Sequence, residues 1–212
     1  MKNSPKIQKL VKQSNDLMDN NKWTDAIIVL RELLKEFPSS TPLLTNLSLC
    51  LANTSSFEEA HELIDKADKL EPLNVSTKYV KAYCYESEEK LDLAIEGYKK
   101  VLKIDKDHYD SWVRTAVIFR KKNDFNQALN ILNHIYKNIA KTPELVTDMG
   151  VVLYDKGELE NAEKILNESL KVKNRSEVTA KQYLSKIYHQ DPQKKHLAIK
   201  IDKEIEGLIE FS

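Results

Sequence analysis

Five histidines, two cysteines and several paired carboxylates are the residues from which a reactive site could be built. His61 and Glu62 open the run His-Glu-Leu-Ile-Asp, but Asp65 stands where a zinc-binding His-Glu-x-x-His helix needs its second histidine. His61, His108, His134, His189 and His196 share no metal-ligand spacing. The carboxylate pairs Glu58–Glu59 and Glu88–Glu89 stand at turns and read as solvated acids. The sequence has no glycine-rich phosphate loop, no nucleophile elbow and no Cys-x-x-Cys. The expectation is a protein without catalysis, cofactor or metal.

Cys50 and Cys84 stand 34 residues apart. A redox pair or half a metal site is one reading; two small buried hydrophobes is the other and is favoured. The spacing itself is more informative than the thiols. Ala26, Ala60, Ala94, Ala128 and Ala162 recur at the same interval of 34. Three residues before each alanine stands a large apolar side chain: Trp23, Phe57, Leu91, Phe125 and Leu159. Four residues after each stands another: Leu30, Ile64, Tyr98, Leu132 and Leu166. Twelve residues before each is a small one: Ser14, Ser48, Ala82, Ala116 and Gly150.

A fixed period in this range marks a repeat array. Large residues three and four positions from an alanine share one face of a helix. The small residue and the alanine, on consecutive helices, allow the two axes to approach closely. Such a pair cannot bury its apolar face alone and has to stack on the next.

This register, with the endings Ala67–Pro72 (ADKLEP) and Val101–Lys106 (VLKIDK), resembles the tetratricopeptide repeat. The resemblance implies an all-α, right-handed α-solenoid of stacked antiparallel helix pairs with a concave groove. It covers five units, 7–40, 41–74, 75–108, 109–142 and 143–176, after a lead-in of residues 1–6. Residues 177–212 read as a degenerate sixth pair and capping helix, because His196 stands at the alanine position and Ala198 comes two residues late. The closing proline is kept as Pro38 and Pro72 and replaced by Lys106, Ala140 and Asn174. Ser4-Pro5, Thr41-Pro42, Thr142-Pro143 and Asp191-Pro192 are expected helix starts. Asn21, Asn123 and Gly157 share one place in the turns between paired helices, where positive φ is needed.

Composition fits this reading. Lys+Arg and Asp+Glu both number 33, so no global basic field points to nucleic acid. Met1–Leu10 lacks the apolar core of a signal peptide and no stretch is long enough to span a membrane, so the expectation is a cytoplasmic protein.

By the resemblance, one face of each first helix lines the groove. The partner-binding residues expected there are Asn15, Asn46, Tyr79, Tyr83, Arg114, Val117, Arg120 and Tyr154, with Thr45, Val80, Thr147, Asp148, Val151 and Tyr188 on the same faces. Exposed tyrosine, valine and arginine on one face mark an interaction site. Two alternatives are that the superhelix covers these residues itself and that Arg114 simply pairs with Asp148. The carboxylate clamp of the family's co-chaperones is not expected: Asn15 and Asn46 fill its amide places, but Val11, Ser76 and Val80 stand where it needs cations. The function expected is a non-catalytic scaffold that binds a peptide or helix of a protein partner in the groove. The alternatives are a regulatory or substrate-docking subunit of an enzyme on another chain, and a self-assembling scaffold.

Overall fold

The computed structural model describes residues 5–173 and 175–210. Ser4 and Asn174, assigned above to a helix start and a closing position, lie outside the described residues. Among the described residues there are twelve helices and no strand. They are α1 (Pro5–Asp19), α2 (Trp23–Glu36), α3 (Thr41–Asn53), α4 (Phe57–Leu70), α5 (Val75–Ser87), α6 (Leu91–Ile104), α7 (Tyr109–Lys121), α8 (Phe125–Asn138), α9 (Pro143–Asp155), α10 (Leu159–Ser169), α11 (Glu177–Gln190) and α12 (Lys195–Glu210). The fold is an all-α repeat solenoid. Its helices gather into two compact units, Met1–Ser111 and Trp112–Ser212.

The turns explain why each helix stops where it does. Positive φ falls at Asn21, Ser55, Glu89, Asn123 and Gly157, once per 34 residues. Each residue closes the same pair of backbone bonds. Lys22 N–H donates to the Leu17 carbonyl at 2.8 Å while Asn21 N–H donates to Met18 at 3.0 Å, and Glu158 donates to Leu153 as Gly157 donates to Tyr154, both at 2.9 Å. This is the Schellman pattern, which satisfies carbonyls orphaned at a helix end. Asparagine and glycine tolerate the conformation; Ser55 and Glu89 adopt it because the flanking helices dictate it.

The helix starts vary more. The Thr142 hydroxyl accepts from Leu145 N–H at 3.2 Å, and the Asn74 side chain accepts from Thr77 N–H at 3.0 Å. Thr41 departs from the expectation: it lies inside α3 and Ser40 holds the cap position. Asp191-Pro192 departs too. It forms a turn in which Asp191 accepts from Gln193 N–H, and α12 begins only at Lys195.

In the first unit the core is built from Leu30, Leu33, Leu44, Leu47, Ile64 and their neighbours, with Cys50 and Cys84 buried and free among them. Burial pushes the Cys50 thiol up to about 11 and the Cys84 thiol to about 12, so neither is a nucleophile near neutral pH. Ala26, Ala60 and Ala94 are fully buried. Gly97, in α6, lies so close to Ala82 of α5 that a Cβ built on it would meet the Ala82 Cβ at 2.6 Å.

In the second unit Ala128 and Ala162 are fully buried, and so is Ala198 of α12. Ala198 therefore does the packing that the register assigned to exposed His196. A Cβ on Gly150 of α9 would sit 2.7 Å from Leu166 of α10, which is why the smallest residue stands there.

Candidate functional site

The first helices carry the expected binding residues, and the two units use them differently. In the first unit Asn15 is exposed on α1, and Asn46 is half-buried on α3. Tyr83 of α5 is half-buried and donates its hydroxyl to Asn53 Oδ1 of α3 at 2.9 Å, which fixes the ring across the two helices. Tyr79 is wedged between the rings of Tyr98 and His108, with centroids at 5.6 and 5.3 Å. Thr45 and Val80 are buried and lie behind this surface rather than on it.

In the second unit the residues converge. Arg120 of α7 donates through Nε to Asp155 of α9 at 2.5 Å and through Nη2 to the Tyr183 hydroxyl of α11 at 3.1 Å. Tyr154 of α9 meets Tyr183 edge to face at 5.1 Å, and Gln190 of α11 donates to the Tyr154 hydroxyl at 3.3 Å. Lys186 lies over the Tyr183 ring, 4.4 Å from its centroid. One guanidinium and two rings are thus held by three successive first helices, partly exposed and preorganised. Arg114 and Val117 are half-buried on α7. Thr147, Val151 and Tyr188 are buried and form the floor, so the exposure expected for them does not hold.

Asp148 of α9 sits beside this cluster. Burial pushes its carboxyl up to about 6, Arg120 draws it down, and Glu144 pushes it up again. The sequence reading did not name Tyr183, Asp155 or Gln190. The first and last lie in the stretch where the 34-residue register fails, and Asp155 simply follows Tyr154 at a helix end; ring and hydrogen-bond partners across helices carry no spacing signal.

His61, His108, His134 and His189 make local contacts, and His196 is exposed. His61 bonds Glu88 at 2.9 Å and stacks on Tyr85, and His189 bonds Asp202 at 2.9 Å. Among the described residues no group of three or more His, Cys, Asp or Glu side chains is placed to hold a metal, and no helix is long and apolar enough to cross a membrane.

Comparison with known proteins agrees with the geometry. The family model of the coatomer epsilon subunit matches residues 71–203, more than half of the chain, and that of subunit 3 of the anaphase-promoting complex, cyclosome, matches residues 19–101. The two matches overlap over residues 71–101. The chain belongs to the tetratricopeptide-repeat family, with residues 71–203 grouped with the coatomer epsilon subunit. No curated protein sequence matches it. Among solved structures, a tetratricopeptide repeat protein from Parabacteroides merdae superposes with a TM-score of 0.72 at 16% identity, over 96% of this chain and 80% of that one. A thermophilic TPR protein from Thermus thermophilus gives 0.71 at 15% identity, over 84% of this chain and 97% of that one. The APC/C hetero-tetramer Cut9–Hcn1 gives 0.72 at 15% identity, over 90% of this chain but 38% of the matched chain.

Proposed function

We propose that this protein is a non-catalytic interaction scaffold that holds a peptide or helix of a protein partner against the inner faces of its first helices. The observation that carries the reading is the second-unit cluster: Arg120, Tyr154 and Tyr183, from three different helices, fixed by one another and still open to solvent. A planar cation and flat amphipathic rings held in place bind with little loss of side-chain freedom. Arg114 and Val117 add to this cluster on α7, and in the first unit Asn15, Asn46, Tyr79 and Tyr83 offer residues of the same kind on their own first helices. The names of the two matched families support the reading, since each is a subunit of a multi-protein assembly.

The test is capture from native lysate by the wild-type chain and by a Tyr83→Ala, Arg114→Ala double variant. The variant should keep its helicity and lose partner capture by a hot-spot magnitude, on the order of 2 kcal/mol or more, which is roughly thirty-fold in affinity. Equal capture by both proteins overturns the assignment of the inner face.

A further inference from the structure

Asp148 of α9 is half-buried, and its carboxylate makes no hydrogen bond or ion pair among the described residues. Arg114, its equivalent one repeat earlier, does not pair with it. Arg120 attracts it through space, but that guanidinium is already bonded to Asp155 through Nε and to the Tyr183 hydroxyl through Nη2. Glu144, one turn earlier on the same helix, repels it. Desolvated carboxylates in folded proteins are ordinarily paired or hydrogen-bonded, because burial without a partner is unfavourable. The rise of the Asp148 carboxyl to about 6 is the mark of the missing partner.

Asp148, Val151 and Asp155 stand at i, i+3 and i+7 and share one stripe of α9. Val151 is its buried floor, and Arg120 holds Asp155 at its far end. Tyr154 stands beside that end, and past it the surface deepens into a cavity of about 620 Å³ lined by Phe125, Tyr154, Leu159 and Gln190 among others. Among the described residues Asp155 is the charged member of that lining. Lys186, over the Tyr183 ring, is exposed, so water solvates its charge. Asp148 has no such relief, and its charge is the one that a partner group would stabilise.

We infer that the partner segment seated on this face carries a basic side chain, arginine or lysine, whose charged head bonds Asp148, with an apolar neighbour over Tyr154 and the Phe125–Leu159 cavity. The inference rests on the reading of the inner faces as the partner's seat and adds the chemistry of the segment that sits there. A guanidinium or ammonium supplies the donors that the fold withholds from Asp148 and keeps it ionised. An acidic segment would set like charge against both Asp148 and Asp155. The carboxylate lowers the stability of the free chain and strengthens the bound state, so the two properties should move in opposite directions when it is removed.

The experiment begins with a random linear peptide library displayed on phage and selected near neutral pH on the full chain, on Tyr154→Ala and on Asp148→Asn. Peptides retained by the wild type should share an arginine or lysine next to apolar residues, and Asp148→Asn should lose the basic preference. Fluorescence anisotropy then compares one selected peptide with its counterpart carrying glutamine in place of the basic residue. On the wild type the exchange should weaken binding by about tenfold to a hundredfold. On Asp148→Asn, which keeps its helicity and melts no lower than the wild type, the exchange should have little effect, as a double-mutant cycle requires. Peptides that need Tyr154 but share no basic residue, or whose glutamine exchange costs as much on Asp148→Asn as on the wild type, overturn the inference and leave the inner face as the partner's seat. Peptides that Tyr154→Ala holds as tightly as the wild type, or no enriched peptide at all, overturn both.

Discussion

Gly97 touches Ala82 so closely that a methyl group on the glycine would meet the alanine Cβ at 2.6 Å and its Cα at 3.0 Å. Neither atom can rotate away, because one is backbone and the other is bonded directly to it. Gly97→Ala gains helix propensity of up to about 1 kcal/mol but forces α5 and α6 apart. Overpacking of this kind costs about 1–3 kcal/mol. The expected net result is a lower melting temperature, and Ala94→Leu, at a fully buried position in the same helix, should fall further still. A Gly97→Ala protein melting above the wild type would show that the helices have room.

The five positive-φ turns separate backbone strain from crowding. Gly157, at φ 87°, has nothing within 4 Å of where a Cβ would stand. Gly157→Val should nevertheless destabilise, by about 1–2 kcal/mol, because a β-branched residue resists this conformation. Glu89, at φ 59°, presents the converse. Glu89→Gly relieves the strain at an exposed site and should leave stability equal to the wild type or above it, within about 1 kcal/mol. Chemical denaturation of both variants reads the difference.

Asp148 makes stability depend on pH in a defined direction. Its folded-state carboxyl is raised to about 6 by burial, against an ordinary value of 3.8. The folded state therefore binds this proton more tightly than the unfolded chain. The contribution of Asp148 improves as pH falls from about 6 towards 4 and is unfavourable above 6. Asp148→Asn, neutral throughout, should melt higher than the wild type at pH 8. The gap should narrow as pH falls below about 6 and close only below about pH 3, where the wild-type carboxyl is protonated in both states. A gap that is constant with pH would assign the stabilisation to shape rather than charge.

The sequence disclosed the fold through residues whose constraint is local and periodic. An alanine at a helix crossing, a small residue opposite it, and Asn21 or Gly157 at a helix end each answer to geometry that repeats every 34 residues. Ser55 and Glu89 show the limit of that signal, since their types resist positive φ and only the helices around them impose it. Gly97 escaped notice because a single glycine at one crossing has no counterpart in the other units. The candidate face was less legible. A 34-residue register marks which helix a residue occupies, but Thr147, Val151 and Tyr188 are buried while Tyr154 one turn away is not. That difference is set by how neighbouring helices cross. The Arg120–Asp155–Tyr183 arrangement joins three helices at separations of 35 and 63 residues, which no fixed spacing predicts.

The account stands on the partner lying against the first helices, and site-specific photo-crosslinking tests this most directly. A photoreactive side chain is placed at Val117 or Tyr154 on the inner faces, and at Glu96 or Lys164 on the exposed faces of second helices. Each protein is irradiated in native lysate and the adducts are separated by mass. The account predicts a shared partner adduct from Val117 and Tyr154 and none from Glu96 and Lys164. The same adduct arising from Glu96 or Lys164, with Val117 and Tyr154 silent, would contradict it.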